Sequence, residues 1–216
     1  MSIFILNQEL IFPSVENADE EGLLAIGGDL SVERLLLAYQ SGIFPWFSED
    51  EPICWWCPNP RFVLLPEELK ISKSMKTVLN NGTFKFTVNR AFTKVIEYCK
   101  NVSRKDQPGT WISNEMAAAY TMLHEQGFAH SAEAWHNGEL AGGLYGIKIG
   151  NVFFGESMFS KQSNASKFAF IKYVQFLQKQ NVQLIDCQVY SHHLQTLGAK
   201  MIERKNFLSM LQQFIN

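Results

Sequence analysis

Two hairpin signals followed by a helical crossover, all between residues 128 and 188, constrain the fold of this chain more than any other feature. The Asn-Gly pair at 137–138 is the strongest hairpin signal in the sequence, and the Gly-Asn pair at 150–151 joins the next two strand-like runs. A helical pattern over 163–180 then leads into the short run 184–188. Because a helical crossover joins parallel strands of one sheet, the sequence predicts an α+β fold with a mixed, mostly antiparallel sheet.

The last strand of this pattern carries two polar side chains among apolar ones. Side chains alternate along a strand, so Asp186 and Gln188 share one face and Cys187 lies on the other. A carboxylate and an amide are costly to bury unless both find partners. The pair is therefore either satisfied by neighbouring backbone groups or used in chemistry, and the strand alone leaves both interpretations open.

The order of these elements is similar to the acyltransferase fold known as GNAT. In that fold the strand before the crossover helix opens towards the carbonyl group of the donor, and the next strand would bring Asp186 and Gln188 beside it. Users of acetyl-CoA need a glycine-rich loop where the crossover helix begins, because backbone N–H groups must approach the pyrophosphate. Residues 161–167 contain no glycine, which argues against acetyl-CoA and favours a different acyl donor.

Charge is distributed unevenly along the 216 residues. Residues 1–60 contain ten acidic residues and one basic residue, whereas residues 61–105 contain ten basic and three acidic residues. A bias of this size indicates two surfaces with different functions. The basic segment is either a solvated face or the footprint of a protein that binds a phosphate backbone, and charge alone does not separate the two.

The change in charge and in the pattern of elements at residue 61 predicts two domains. They are a small N-terminal α/β domain over 1–60 and a GNAT-like catalytic domain over 61–216. The first is rich in turns and contains one helix, which Ser31 caps and Gly42 ends. In the second, strands and helices follow one another to the end, where Asn206 is expected to cap an amphipathic final helix.

The chain is rich in aromatic residues, with 17 Phe and 5 Trp. Such rings usually pack in the core or line an apolar pocket. Trp46 lies in a proline turn beside the basic segment, so it is the best candidate for an exposed ring on which a nucleic-acid base stacks.

The sequence predicts a cytoplasmic protein without metal or cofactor. No apolar run reaches the roughly 20 residues that a bilayer span requires, and the N-terminus lacks the features of a signal peptide. Cys54 and Cys57 have the C-x-x-C spacing. No second ligand pair lies nearby, and Pro58 follows where a redox motif would begin a helix, so metal and redox roles are not expected.

Six segments carry long and specific motifs. They are Gly22–Leu30 (GLLAIGGDL), Gly42–Phe47 (GIFPWF), Trp55–Arg61 (WWCPNPR), Gly109–Ile112 (GTWI), Gly155–Ser160 (GESMFS) and Leu184–Gln188 (LIDCQ). Together they resemble the bacterial leucyl/phenylalanyl-tRNA–protein transferases. The resemblance implies a GNAT-like catalytic domain behind a small N-terminal domain.

The resemblance also implies an activity. Members of this family are aminoacyltransferases that move Leu or Phe, and Met less well, from aminoacyl-tRNA to the α-amino group of proteins that begin with Arg or Lys. This reaction marks the acceptor for the bacterial N-end rule degradation pathway. The implied partners are Leu-tRNA, Phe-tRNA and acceptor proteins, without a cofactor or a membrane.

Roles follow from the resemblance by position. Asp186 and Gln188 match the catalytic pair, and Glu156 falls beside the reaction centre. Trp46 and Trp111 match rings that hold the terminal adenosine. The amino-acid pocket is expected to include Leu144, Phe153, Phe170, Tyr173 and Leu177.

The chemistry implied is aminolysis of an activated ester, which needs no metal, ATP or covalent nucleophile. Gln188 is expected to orient the attacking amine through its carbonyl oxygen, and Asp186 to polarise Gln188 or to favour the positive charge on nitrogen. Glu156 and Asp186 are the candidates for a negative site that receives the acceptor's cation. His193 is a candidate base, and Cys187 is a poor candidate nucleophile because it faces away from Asp186.

Two other classes of function stay open on the sequence. One is a GNAT enzyme that uses acetyl-CoA, and the other is a non-catalytic RNA-binding module that uses the basic segment and the tryptophans. Transfer of labelled Leu from Leu-tRNA to a peptide that begins with Arg would separate all three.

Overall fold

The computed structural model describes residues 3–101 and 112–215. The strands are β1 (Phe4–Leu6), β2 (Leu23–Gly27), β3 (Phe44–Pro45), β4 (Cys54–Trp56), β5 (Arg61–Leu64), β6 (Lys85–Val88), β7 (Ala129–His136), β8 (Glu139–Ile149), β9 (Val152–Ser160), β10 (Leu184–Gln188) and β11 (Lys200–Ile202). The helices are α1 (Val32–Gln40), α2 (Lys73–Asn80), α3 (Phe92–Lys100), α4 (Asn114–Glu125), α5 (Ala165–Gln178), α6 (His192–Gln195) and α7 (Arg204–Phe214).

A seven-stranded sheet in the order β11-β5-β10-β9-β8-β7-β6 forms the main body of the protein. Its strands pair antiparallel except for β9 and β10, which are parallel and are joined by α5. This is the hairpin–hairpin–crossover arrangement that the sequence predicts. The α+β, GNAT-like fold class is confirmed.

A smaller four-stranded sheet in the order β1-β2-β4-β3 lies in the N-terminal region. One apolar core runs from this region into the main body: Tyr39 and Phe44 belong to the same buried cluster as Tyr120 and Phe154. The division into domains at residue 60 therefore stays a prediction, since the two sheets share packing.

Serine caps account for the starts of three helices. The side chains of Ser31, Ser72 and Ser113 accept hydrogen bonds from the backbone N–H groups of Arg34, Met75 and Met116, and each bond satisfies an otherwise unpaired donor of the first turn. The predicted role of Ser31 is confirmed.

The predicted cap of the last helix is wrong. α7 begins at Arg204, two residues before Asn206, and its N-cap is Glu203. The side chain of Asn59, far away in sequence, accepts a hydrogen bond of 2.9 Å from the backbone N–H of Arg204. A tertiary contact thus supplies the cap, which no local sequence pattern reveals.

β10 contains a bulge that shapes the site. Asp186 pairs with Val63 and Gln188 with Phe62, so Cys187 is left without a partner on β5. Gln188 adopts φ +64°, a left-handed conformation that non-glycine residues rarely adopt. The bulge therefore changes the direction of the chain at the end of the strand.

Among residues 3–101 and 112–215, no helix combines the length and the apolar character that a bilayer span requires.

Candidate active site

The parallel strands β9 and β10 separate from each other in the middle of the sheet. Their pairing ends with Phe154 opposite Asp186. Two residues further along each strand, the amide Nε2 of Gln188 donates a hydrogen bond of 2.9 Å to Oε1 of Glu156. These two polar side chains therefore bridge the gap where the strands no longer pair.

A cavity of about 980 Å³ opens at this gap. Apolar side chains form most of its wall, with Leu144 from β8, Phe153 from β9, Phe170 from α5 and Ile185 from β10. Glu156 and Gln188, which are hydrogen-bonded to each other, are among its polar lining groups. A large apolar space with a few convergent polar groups is the usual form of a site for a small molecule or a chain end.

Glu156 lies at the centre of a hydrogen-bonded cluster. The hydroxyl of Tyr39, from α1, donates to Oε1 at 2.8 Å, and that of Tyr120, from α4, donates to Oε2 at 2.9 Å. The two hydroxyl oxygens lie 2.5 Å from each other. Three contacts among three groups need three protons to be hydrogen bonds at the same time, and the tyrosines supply only two. The set is complete only when the carboxyl of Glu156 is protonated, because one phenol then accepts from the carboxyl and donates to the other phenol.

Burial also favours the protonated form of the Glu156 carboxyl. It raises the pKa of Glu156 to about 7, although the hydrogen bonds from Tyr39, Tyr120 and Gln188 lower it in part. Burial, together with the charge of Glu156, raises the pKa values of Tyr39 and Tyr120 well above their usual range, so both phenols stay neutral. Glu156 is therefore the group of this cluster that changes charge near neutral pH.

Asp186 is engaged on the other side of β10. Its Oδ1 accepts a hydrogen bond of 2.8 Å from Nε of Arg61, and its Oδ2 accepts one of 2.6 Å from the terminal nitrogen Nη2 of Arg61. Oδ1 also accepts from the backbone N–H of Gln188 at 2.9 Å. Asp186 is fully buried and does not line the cavity.

Comparison with known proteins agrees with this geometry. Residues 63–212 match the family described as leucyl/phenylalanyl-tRNA protein transferase, and residues 28–59 match the N-terminal domain of the same family. The leucyl/phenylalanyl-tRNA–protein transferase of Flavobacterium johnsoniae is 58% identical over 210 residues, which cover 97% of this chain and 99% of the relative. The chain belongs to the leucyl/phenylalanyl-tRNA protein transferase family.

Other relatives extend this result. The leucyl/phenylalanyl-tRNA–protein transferase of Syntrophobacter fumaroxidans is 53% identical over 215 residues, covering all of this chain and 92% of the relative. Among solved structures, FemX aligns with a TM-score of 0.51 at 10% identity, over 84% of this chain and 71% of FemX, which shows a shared fold. Membership of the transferase family makes the chain an enzyme and excludes the non-catalytic RNA-binding module.

Six of the site residues that the sequence predicts lie together in the structure. They line one cavity and are Trp46, Leu144, Phe153, Glu156, Phe170 and Gln188. Tyr173 and Leu177 are 1% exposed and lie behind the wall, where Tyr173 packs edge-on against Phe153. Trp111 lies outside the described residues. The roles of all these residues in binding and catalysis stay predictions.

Two further residues, one at the end of β10 and one on the short helix α6, also line the cavity. Cys187 lines the cavity opposite the face that carries Asp186, and burial raises the pKa of its thiol, which keeps it protonated. His193, on α6, also lines the cavity. Burial, together with the charges of Lys167 and His192, lowers the pKa of His193, which favours a neutral imidazole.

Sequence reasoning missed three residues of the site. Tyr39 and Tyr120 hold Glu156, and Arg61 holds Asp186. Tyr39 looks like one more apolar position of an amphipathic helix, and Arg61 like one more charge in the basic segment. Pairing of Arg61 with Asp186 across 125 positions depends on the tertiary fold. The local signals are that Arg61 ends the motif Trp55–Arg61 and opens an otherwise apolar strand.

Proposed function

We propose that this enzyme transfers Leu or Phe, and Met less well, from aminoacyl-tRNA to the α-amino group of proteins that begin with Arg or Lys. The reaction would serve the bacterial N-end rule pathway in the cytoplasm. The observation that carries the proposal is the hydrogen bond between Gln188 and Glu156 at the polar end of a mostly apolar cavity. Membership of the family supports it.

The apolar wall suits the side chain of the donor amino acid. Leu144, Phe153 and Phe170 line the cavity without charge, so Leu or Phe enters at no electrostatic cost. A hydrophobic pocket separates side chains by only about 1–3 kcal/mol per methylene. Acceptance of several large apolar side chains, with different efficiencies, is therefore the expected behaviour.

The polar end suits the incoming amine. An α-amino group has a pKa of about 7.7–8.0, so an appreciable fraction is neutral at physiological pH and needs little help from a base. The amide nitrogen of Gln188 is committed to Glu156. The carbonyl oxygen is thus the end of the side chain that accepts a hydrogen from the amine and directs its lone pair at the ester carbon.

The reaction then balances without a cofactor. The nitrogen forms a bond to the ester carbonyl carbon, and the bond from this carbon to the ribose oxygen breaks. The amine loses a proton and the departing ribose oxygen gains one. Because the donor is already activated, positioning of the two substrates supplies much of the acceleration.

Glu156 suits the cationic side chain of the acceptor. Without a neighbouring cation the carboxyl shares protons with Tyr39 and Tyr120. A guanidinium or ammonium group beside it favours the ionised form, since an opposite charge lowers the pKa of a carboxyl. Binding of Arg or Lys would therefore release the proton of Glu156 and gain an ion pair.

The donor nucleic acid is expected to use Trp46 and the basic segment. Trp46 lines the cavity, and its ring is tilted against that of Trp56, with centroids 5.9 Å apart. This leaves one wall of the cavity aromatic where a terminal adenosine can stack. Exposed bases of the segment are Lys70, Lys73, Lys76, Lys85, Arg90 and Lys94.

The direct test is transfer of labelled Leu from Leu-tRNA to two peptides that differ only in their first residue, Arg or Ala. We expect label on the Arg peptide and at least tenfold less on the Ala peptide, because only Arg offers a cation to Glu156. An additional reaction with labelled acetyl-CoA should leave both peptides unlabelled. Failure to label either peptide from Leu-tRNA, or acetylation of both, would overturn the proposed function.

A further inference from the structure

Arg61 and Asp186 form a closed ion pair inside the protein. The guanidinium is 1% exposed and the carboxylate 0%, and two parallel hydrogen bonds of 2.8 and 2.6 Å join them. This bidentate geometry fixes both the position and the orientation of the carboxylate, which a single bond would not do.

Aromatic rings cover the guanidinium from two other parts of the chain. Its central carbon lies 4.7 Å from the ring centroid of Phe44 in β3 and 4.6 Å from that of Phe207 in α7. Both are distances at which a cation is attracted to a ring face. Phe44 also lines the cavity. Arg61 therefore contacts the cavity wall through Phe44, α7 through Phe207 and β10 through Asp186.

One oxygen of the fixed carboxylate holds the backbone of the proposed catalytic amide. Oδ1 of Asp186 accepts from the N–H of Gln188, which has φ +64°. A left-handed conformation is unfavourable for glutamine and persists only where surrounding contacts enforce it. The side chain that leaves this backbone reaches Glu156.

We propose that Arg61 is a positioning residue, and that Asp186 serves the reaction through it as an oriented oxygen atom rather than as a negative charge. Arg61 neutralises and orients Asp186, and Oδ1 of Asp186 keeps Gln188 in the bulged conformation that aims its amide at the cavity. Asp186 does not line the cavity, so its carboxylate has no direct route to the substrates. This inference rests on the proposed function for the use that it assigns to Gln188.

The alternative is that the charge of Asp186 acts on the reacting amine. Two neutral double variants separate the possibilities. Arg61→Met with Asp186→Asn removes both charges but keeps an oxygen that accepts from the Gln188 N–H. Arg61→Met with Asp186→Leu removes both charges and this oxygen, and neither double variant leaves a buried charge without its partner.

For the Asn variant we expect a loss of kcat of about tenfold, because it keeps the acceptor oxygen but not the fork that orients it, and for the Leu variant a loss of about a hundredfold or more. The Kd for Leu-tRNA should stay within about threefold in both, because the change affects the orientation of Gln188 and not the donor site. Equal, severe losses of kcat in both double variants would show that the carboxylate charge is required. Wild-type kcat in both would show that Gln188 needs no positioning. Either result overturns the inference.

A second variant keeps the test informative if the Leu variant does not fold. Arg61→Lys preserves the positive charge and the Asp186 carboxylate but loses the two-point fork. The inference predicts a fall in kcat of about tenfold or more with an unchanged Kd for Leu-tRNA, whereas a purely electrostatic role of Asp186 predicts little change.

Hydrogen exchange of the Gln188 backbone amide gives a readout that does not depend on activity. It should become at least about tenfold faster in the Asp186→Leu double variant than in the Asp186→Asn double variant, since only the Leu variant loses the acceptor. Equal exchange would contradict the positioning role even if transfer to Arg peptides is established. Faster exchange in a protein that transfers no Leu would support the positioning role and reject the proposed function alone.

Discussion

Glu156 is the group of its hydrogen-bonded cluster whose charge changes near neutral pH. Its two oxygens meet Tyr39, Tyr120 and Gln188, and the contact between the two phenols requires a proton that an ionised carboxylate does not provide. These contacts therefore favour neutral Glu156, whereas the proposed binding of a cationic acceptor beside it would favour ionised Glu156. Under the proposed function, Glu156 would lose its proton when the acceptor binds.

This proton has a consequence for stability. Burial raises the pKa of Glu156 from 4.5 to about 7, so the folded protein holds a proton that the unfolded chain releases between these values. Stability linked to Glu156 is therefore full below pH 4.5 and is lost as the pH rises to about 7. Glu156→Gln mimics the neutral carboxyl and should exceed the wild type in unfolding free energy by about 2 kcal/mol at pH 8, allowing for partial solvent access.

Urea unfolding of both proteins at pH 5 and pH 8 measures this difference. The advantage of Glu156→Gln should be small at pH 5 and clear at pH 8, because only the wild type pays for ionisation. A variant that is less stable than the wild type by the same amount at both values would show that Glu156 is not held neutral.

Among the elements, helix α5 has buried residues that line the cavity and others that pack in the core. Phe170 lines the cavity, whereas Val174, one turn later, is buried behind it. Phe170→Ala should raise the KM for Leu-tRNA and shift the preference between Leu-tRNA and Phe-tRNA, because it enlarges the proposed pocket.

Val174→Ala is the matched control on the same helix. It should cost about 1–3 kcal/mol of unfolding free energy, as large-to-small changes in a core do, and leave the preference between the two donors unaltered. Competition between Leu-tRNA and Phe-tRNA in one reaction gives the preference directly. A shift of equal size in both variants would place the pocket elsewhere.

The elements also show what the sequence could and could not predict. The hairpins at 137–138 and 150–151 and the crossover helix have local signals strong enough to define the main sheet. β1 to β4 have only two to five residues each, too few for a periodic pattern. The bulge at Cys187 and the cap of α7 depend on partners far away in sequence.

The same distinction applies to the candidate site. Alternation along β10 predicts Asp186 and Gln188 on one face, opposite Cys187, and this prediction is wrong: the bulge at Cys187 turns Gln188 to the cavity that Cys187 also lines, whereas Asp186 does not line it. Alternation also did not show that Asp186 is paired with Arg61 and bonded to the backbone of Gln188 rather than to its side chain. Nor could it show the tyrosines around Glu156, since they come from helices that pack together only in the folded protein.

At the scale of the whole molecule, the site draws on nearly every part of the chain. α1 supplies Tyr39, α4 supplies Tyr120, and the parting strands supply Glu156 and Gln188. α7, near the end of the chain, supplies Phe207 over Arg61. Tyr39, from the N-terminal region, contacts Glu156 of the main sheet, and the two regions share one core.

The uneven distribution of charge along the chain predicts that the basic segment binds a polyanion. Lys73 and Lys76 are exposed on α2, and reversing both charges in Lys73→Glu/Lys76→Glu should raise the KM for Leu-tRNA by about tenfold or more at low salt. The salt dependence of donor binding should become shallower, since fewer counterions are released.

Lys205→Glu, an exposed reversal on α7 outside the basic segment, is the control for that pair. Its donor KM should stay close to the wild-type value across the same range of salt. Equal effects of both reversals would mean that overall charge attracts the donor and that α2 has no special place in binding.

One comparison of acceptors isolates the proposed role of Glu156: a peptide that begins with Arg against the same peptide with neutral, isosteric citrulline in place of Arg. Their α-amines titrate alike, so the ratio of kcat/KM values isolates the cationic side chain. For the wild type this ratio should rise by about tenfold as the pH increases through about 7, the pKa of Glu156, because only ionised Glu156 attracts the cation. For Glu156→Gln it should be low and independent of pH. A wild-type ratio that does not change with pH, or a Glu156→Gln variant that still prefers Arg, would contradict the role proposed for Glu156.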